Sequence, residues 1–213
     1  MPLKLEALSP AQLGQDAELW TLYAQAFPLS EREPPEVILR SLHLGVGLAL
    51  AGREQGRTRA LAVLHLLREP DLVFLVYLAL ERSVRGRGEG LALLEQAWSA
   101  GAQALAAQGR EARGLVWEVD PPETAPDAAE RSVRERRLRF FARAGGVLLP
   151  EPYLQPPVGT DPNPLPMRLM YRAAPGQGPR PDTDTLVRAV YAQKYGAVNG
   201  LSAAHLEALL QRA

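Results

Sequence analysis

The stretch Arg85-Gly86-Arg87-Gly88-Glu89-Gly90 constrains this chain more than any other. It follows an apolar run, Leu72–Leu80, that reads as a strand, and it opens a segment, Gly90–Ala107, in which Leu91, Leu94, Trp98, Ala102 and Leu105 recur at helical spacing. A strand thus passes through three alternate glycines into a long amphipathic helix. Glycines let backbone approach a ligand with no Cβ in the way, and the free N–H groups and positive dipole end of the helix suit a phosphate or pyrophosphate. A glycine-rich turn without a ligand is the structural alternative.

Two nucleotide motifs fail at this position. A Walker loop ends in Gly-Lys-Ser/Thr, and the only lysines are Lys4 and Lys194. A dinucleotide fingerprint has the spacing G-x-G-x-x-G, whereas here it is G-x-G-x-G, with Leu91 where the third glycine belongs.

The rest of the chain reads as α+β. Strands are expected over Lys4–Leu8, Gly47–Ala51, Ala60–Leu67, Leu72–Leu80 and Gly114–Val119, with short ones at Val147–Leu149 and Leu169–Tyr171. Helices are expected over Gln15–Phe27, from Pro35 onward, over Gly90–Ala107, and over Ala128–Ala144, where Gly145-Gly146 stops the last of them. Seven prolines between Pro150 and Pro166 predict a long stiff loop without regular pairing. Ala174–Pro181 is a linker by composition. It divides a domain over residues 1–173 from a small helical appendage over 183–213, whose apolar stripes (Leu186, Val190, Tyr191; Leu206, Leu209, Leu210) need a partner on the same domain or on a second subunit, so a homodimer is a possible assembly.

Composition excludes other classes. Lys+Arg and Asp+Glu are both 24, which argues against a nucleic-acid binder or a membrane-surface binder held by a large positive field. With no cysteine and three scattered histidines, no metal site is expected. No apolar stretch is long enough to span a bilayer and no leader is evident, so a cytoplasmic protein is expected.

Arg85, Gly88 and Gly90 match the Arg/Gln-x-x-Gly-x-Gly/Ala signature of the GNAT superfamily of acyl-CoA-dependent N-acetyltransferases. Upstream, Leu78-Ala79-Leu80 resembles the family's Leu-Ala-Val strand; Leu93-Leu94 fits its paired leucines; Arg139-Phe140-Phe141-Ala142-Arg143-Ala144-Gly145-Gly146 is similar to the ending of its fourth helix. The resemblance covers about Leu3 to Arg172. It implies a mostly antiparallel mixed sheet flanked by helices, with a cleft where the fourth and fifth strands diverge. Acetyl-CoA would lie along Leu78, Ala79 and Leu80, its pyrophosphate on the backbone of Arg85, Gly86, Arg87, Gly88, Glu89 and Gly90, with Phe141 near the thioester. The activity implied is direct attack of a primary amine on that thioester. A domain that binds acyl-CoA as a sensor or scaffold without turnover is the alternative.

The proton-handling groups depart from the family. Phe141 stands where many relatives have a tyrosine that donates to the departing thiolate, and Tyr153 is the substitute nearest in sequence. For the base, Glu118 and Asp120 are two apart on a predicted strand and share a face. A carboxylate there is costly unless paired or functional, so Glu118 is the candidate base, directly or through water, and a salt bridge to a helix arginine such as Arg137 or Arg139 is the structural alternative. Glu31 and Glu33 lie in the loop that borders the acceptor pocket in this superfamily, where they can attract a cationic amine; plain solvated loop charge is the structural alternative. His65 reads as a satisfied core residue rather than a base. Acceptor choice is expected to sit in the loops Pro28–Pro35 and Pro150–Pro166.

Overall fold

A computed structural model of the chain describes residues 3–86, 88–159 and 162–212. Strand β1 (Leu5–Leu8) is followed by helices α1 (Pro10–Gln15), α2 (Ala17–Ala26) and α3 (Pro35–His43), and a meander of β2 (Gly47–Glu54), β3 (Arg57–Leu67) and β4 (Leu72–Leu80) leads into α4 (Glu89–Ala106). Then come β5 (Gly114–Val119), α5 (Ala128–Arg143), β6 (Val147–Leu148), β7 (Tyr153–Gln155) and β8 (Leu165–Ala173). Helix α6 (Thr183–Ala189) runs into a π-helix (Val190–Val198), and α7 (Ala203–Leu210) follows.

Two local readings of the sequence need correction. The helix expected over Gln15–Phe27 starts at Ala17, because Asp16 caps α2 with its carboxylate on the Leu19 N–H at 2.9 Å, and a separate short helix, α1, precedes it. The proline-rich stretch does contain a strand: Tyr153, Leu154 and Gln155 pair with Met167, Pro166 and Leu165. These three residues are the proline-free gap between Pro152 and Pro156, and that suffices for one short rung.

The sheet runs β1-β2-β3-β4-β5-β8-β6, with β7 also on β8, and every pairing is antiparallel except β4 with β5. That parallel pairing is short, Val73–Leu75 against Leu115–Trp117. Immediately beyond it β4 carries an extra residue against β3: Val63 faces Tyr77 and Leu64 faces Leu75, leaving Val76 unopposed. Such a bulge bends its strand and raises the local twist. Past Leu75, β4 therefore follows β3 while β5 follows β8, and the two part into a cleft.

Each face of the sheet is covered. Leu94, Ala97 and Leu105 of α4 pack on Leu64, Val73, Leu115 and Trp117; a Cβ built on Gly101 would stand 2.6 Å from Val73, so α4 lies close to the strands. Helices α1 to α3 cover Ala49, Leu61, Val63 and Tyr77 on the opposite face. The C-terminal stripes find their partner within the chain: Leu186, Val190, Tyr191, Tyr195, Leu206 and Leu209 share one core with Phe74, Val116, Tyr153 and Tyr171. Residues 183–212 are thus joined to the sheet rather than hung from it. Among the described residues no helix is long and apolar enough to cross a membrane.

Candidate active site

The parted strands open onto a cavity of about 920 Å3. Along β4 the alternate residues Val76, Leu78 and Leu80 are partly exposed, while Tyr77 and Ala79 are buried in the core under α2. The β4 edge that would have met β5 has no strand partner from Val76 to Leu80, so its backbone donors and acceptors face the cleft.

At one end of the cavity lie Gly86, Gly88 and Gly90. Gly86 and Gly88 have φ of +82° and +79°, conformations that favour glycine, and a Cβ on either would meet nothing within 4 Å. Gly88 is the N-cap of α4 and brings no side-chain cap, which leaves the first N–H groups of the helix without one. Gly90 has a different reason to be glycine: a Cβ there would stand 3.0 Å from the Phe140 ring of α5. Arg85 lines the cavity and donates from Nε to the Leu80 carbonyl at 2.8 Å, clamping the loop onto the strand it leaves. Arg82 joins it, with Arg136 and Arg143 across the cleft, one turn either side of Phe140. Glu89 turns its side chain elsewhere: its carboxylate accepts from the Leu3 N–H at 3.1 Å and fastens β1 to α4. Arg87 lies outside the described residues.

The other end is acidic, with Glu31, Glu118 and Asp120 on its walls. Glu118 does not form the arginine bridge that was the alternative to a base: Arg137 pairs with Asp120 and Arg139 with Glu135. Instead three neutral donors hold it. Oε1 accepts from the hydroxyls of Tyr153 (2.5 Å) and Tyr195 (2.6 Å), and Oε2 accepts from Nε2 of Gln155 (2.6 Å). Burial raises the Glu118 carboxyl above the ordinary carboxylate range, although these donors oppose the shift. Tyr153 is 2 % exposed and does not line the cavity. Its hydroxyl is occupied by Glu118, so the phenol expected to donate to a thiolate stands behind the carboxylate as a support. Phe141 lines the cavity with its ring 4.8 Å from that of Trp117.

Tyr195 and Gln155 escaped the sequence reading. Tyr195 reaches Glu118 across 77 positions of chain; the one local hint was a second tyrosine, four residues beyond Tyr191, on an apolar helix. The segment is anchored beside it. Lys194 forms a buried ion pair with Glu33 and donates to Asn199 Oδ1 at 2.9 Å, while Asn199 Nδ2 donates to Glu33 Oε1 at 2.5 Å. Glu33, 2 % exposed, is therefore not open to an acceptor as expected; it fastens the loop of residues 28–35 to the π-helix. Removing one partner of a buried pair strands the other charge, so Lys194→Met is expected to cost about 3–5 kcal/mol of stability in chemical denaturation. Adding Glu33→Leu should recover much of that loss, and no recovery would show that the pair is not what fastens the segment.

Glu31 is different. It makes no ion pair or side-chain hydrogen bond among the described residues, and its carboxyl is pushed up to about 7, first by burial and then by the charge of Asp120, against the pull of Arg137 and Arg134. His65 is buried at 1 % exposure, and neither ring nitrogen has a hydrogen-bond partner among the described residues, contrary to the expectation of a satisfied core residue. Burial and nearby Lys194 hold it neutral. Among the described residues no group of His, Asp and Glu could hold a metal ion.

No protein-family model and no curated protein matches the sequence. Solved structures do match in shape. A Bacteroides thetaiotaomicron protein assigned to the GNAT family of acetyltransferases is 18 % identical, with TM-score 0.69 over 93 % of this chain and 99 % of its own. A Bacillus subtilis acetyltransferase in complex with CoA is 15 % identical, with TM-score 0.54 over 81 % of this chain and 99 % of its own. The Escherichia coli ribosomal-protein-S18-alanine N-acetyltransferase is 16 % identical, with TM-score 0.53 over 84 % and 99 %. The splayed fourth and fifth strands, the glycine loop that leaves them and the helices on both faces thus give this chain the fold of the GNAT acetyltransferases.

Proposed function

We propose that the protein transfers an acetyl group from acetyl-CoA to a primary amine by direct attack on the thioester. The observation that carries this reading is the polarity of the cavity: arginines and free helix N–H groups at one end, a carboxylate held by three neutral donors at the other, and an unpaired strand edge between them. The glycine end suits a pyrophosphate, through the amides of residues 88–90 and the charges of Arg82, Arg85, Arg136 and Arg143. The edge of β4 suits the amide-bearing arm of CoA, and in this reading the thioester lies near Leu78–Leu80, where a backbone N–H can meet the developing oxyanion.

Glu118 is the base in this reading. After the ammonium has lost one proton to solvent, the nitrogen lone pair forms the new C–N bond as the carbonyl electrons move onto oxygen, and Glu118 takes a second proton from that nitrogen; the carbonyl then re-forms and the C–S bond breaks with its electron pair on sulfur. The thiolate then takes the proton that Glu118 received or one from solvent. Tyr153, Tyr195 and Gln155 act through Glu118, fixing its orientation. Glu31 adds negative charge where the amine enters. That one structural neighbour is described with CoA bound agrees with the donor class.

Thermal unfolding tests the donor without any acceptor. At 100 times its dissociation constant acetyl-CoA adds about 2.7 kcal/mol, which is expected to raise the midpoint by roughly 5–10 °C for a chain of this size, with CoA also protecting and NAD without effect. Absence of protection by both CoA species would end the transferase reading.

A further inference from the structure

Four side chains at the acidic end of the cavity carry charges that cancel in pairs: Asp120 with Arg137, and Lys194 with Glu33. Two charges are left. Glu118 is bonded only to neutral donors, and Glu31 to none, so among the described residues neither has a cation to itself. Between them, Gln155 supplies an independent sign of an absent ligand. It lines the same cavity at 9 % exposure, spends its Nε2 on Glu118, and leaves its buried Oε1 without a donor. A buried carbonyl without a donor costs free energy comparable to a lost hydrogen bond; Trp117 Nε1 is an unmet donor on the same cavity, but Glu31 and Gln155 Oε1 call for N–H groups. The ligand that answers them is rich in N–H groups and doubly positive.

Resting on the transferase reading above, we infer that the acceptor is an alkyl diamine or polyamine, one nitrogen reacting at Glu118 and a second, as an ammonium, held by Glu31. Glu31, Glu118 and Asp120 line the same cavity, and the Glu31 carboxyl lies within the field of Asp120, two residues beyond Glu118 in the chain. A short alkylene chain joins the two nitrogens. Phe27, whose ring packs 4.7 Å from Tyr77, and Val158 and Met167, beside Gln155 on the β7–β8 side, give the methylenes apolar walls. Tyr77 in turn donates to the Glu31 carbonyl at 2.9 Å, which fixes that residue at the wall. An amino acid presents a carboxylate where this site already has one unpaired, and a simple alkylamine leaves Glu31 unanswered.

The pH dependence has a definite sign. Glu31 faces Asp120 at the end of β5 and Glu130, Arg134 and Arg137 of α5. With its carboxyl half-ionised at about 7, the second ammonium is held more tightly as pH rises through that value, so the preference for a diamine grows from pH 6 to pH 8.

The experiment compares 1,4-diaminobutane, 1,5-diaminopentane, butylamine and 4-aminobutanoate in two assays on wild type and Glu31→Gln. One is thiol release with acetyl-CoA; the other is heat protection by the amine in the presence of CoA, which needs no turnover. The inference expects the diamines to exceed butylamine by about tenfold in kcat/KM, the worth of one charge-assisted contact, with 4-aminobutanoate poorest and the ratio falling close to one in Glu31→Gln. Equal use of butylamine and diamines, or a ratio that Glu31→Gln leaves untouched, overturns it while transfer stands. Selective protection by diamines without thiol release from any amine upholds the diamine site and ends the transferase reading. No selectivity in either assay overturns the inference.

Discussion

Glu118→Gln is expected to lower acetyl transfer at neutral pH by about 10²–10⁴-fold, the usual worth of a positioned base, with acetyl-CoA protection against heat nearly unchanged. The substitution is nearly isosteric, and the surrounding donors tolerate it. Tyr153 and Tyr195 can still donate to the new amide oxygen. Gln155, whose Oε1 has no partner in the native site, can turn its amide over and accept from the new NH2 group. The loss is thus a loss of basicity rather than of structure. Because burial lifts the Glu118 carboxyl, the acid limb of the wild-type rate profile should lie above the ordinary carboxylate range, and it should vanish in the variant. Equal rates for variant and wild type would remove Glu118 as the base.

Gly88→Glu is expected to abolish protection by acetyl-CoA, a rise in Kd of about 100-fold or more. Nothing lies within 4 Å of a Cβ at this position, so no clash in the fold is introduced. The cost to folding is the left-handed conformation forced on a residue with a side chain, about 1–2 kcal/mol. The carboxylate itself projects into the space kept open ahead of the first N–H groups of α4, where it both competes for them and repels a pyrophosphate. Gly88→Ala carries the same backbone strain without the charge and should keep much of the protection. If the glutamate variant bound acetyl-CoA as tightly as wild type, the glycine loop would not be the phosphate site.

Local signals carried the glycine-loop end of this site. A strand, alternate glycines and a helix start are contiguous, so Leu72–Leu80 and Arg85–Gly90 could be placed before any tertiary contact was known, and Gly86 and Gly88 show the backbone conformation that their residue type suggests. Glu118 was legible as a carboxylate on a central strand. What surrounds it was not, because its partners come from residues 153, 155 and 195, brought in by a rung of three residues among prolines and by a π-helix that no periodicity announces. Distance in sequence also hid the fate of Glu33, whose partner lies 161 residues away. Gly90 has a second reason to be glycine that its spacing in the motif does not show, for a Cβ there would stand 3.0 Å from the Phe140 ring.

Tyr195 ties the set of the Glu118 carboxylate to a segment far away in the chain. Residues 190–198 share one core with Phe74 and Val116 of the central sheet, so the phenol arrives only with the docked π-helix. A substitution that loosens that docking acts on the acidic end of the cavity and leaves the glycine loop, which is built by β4 and α4, as it was.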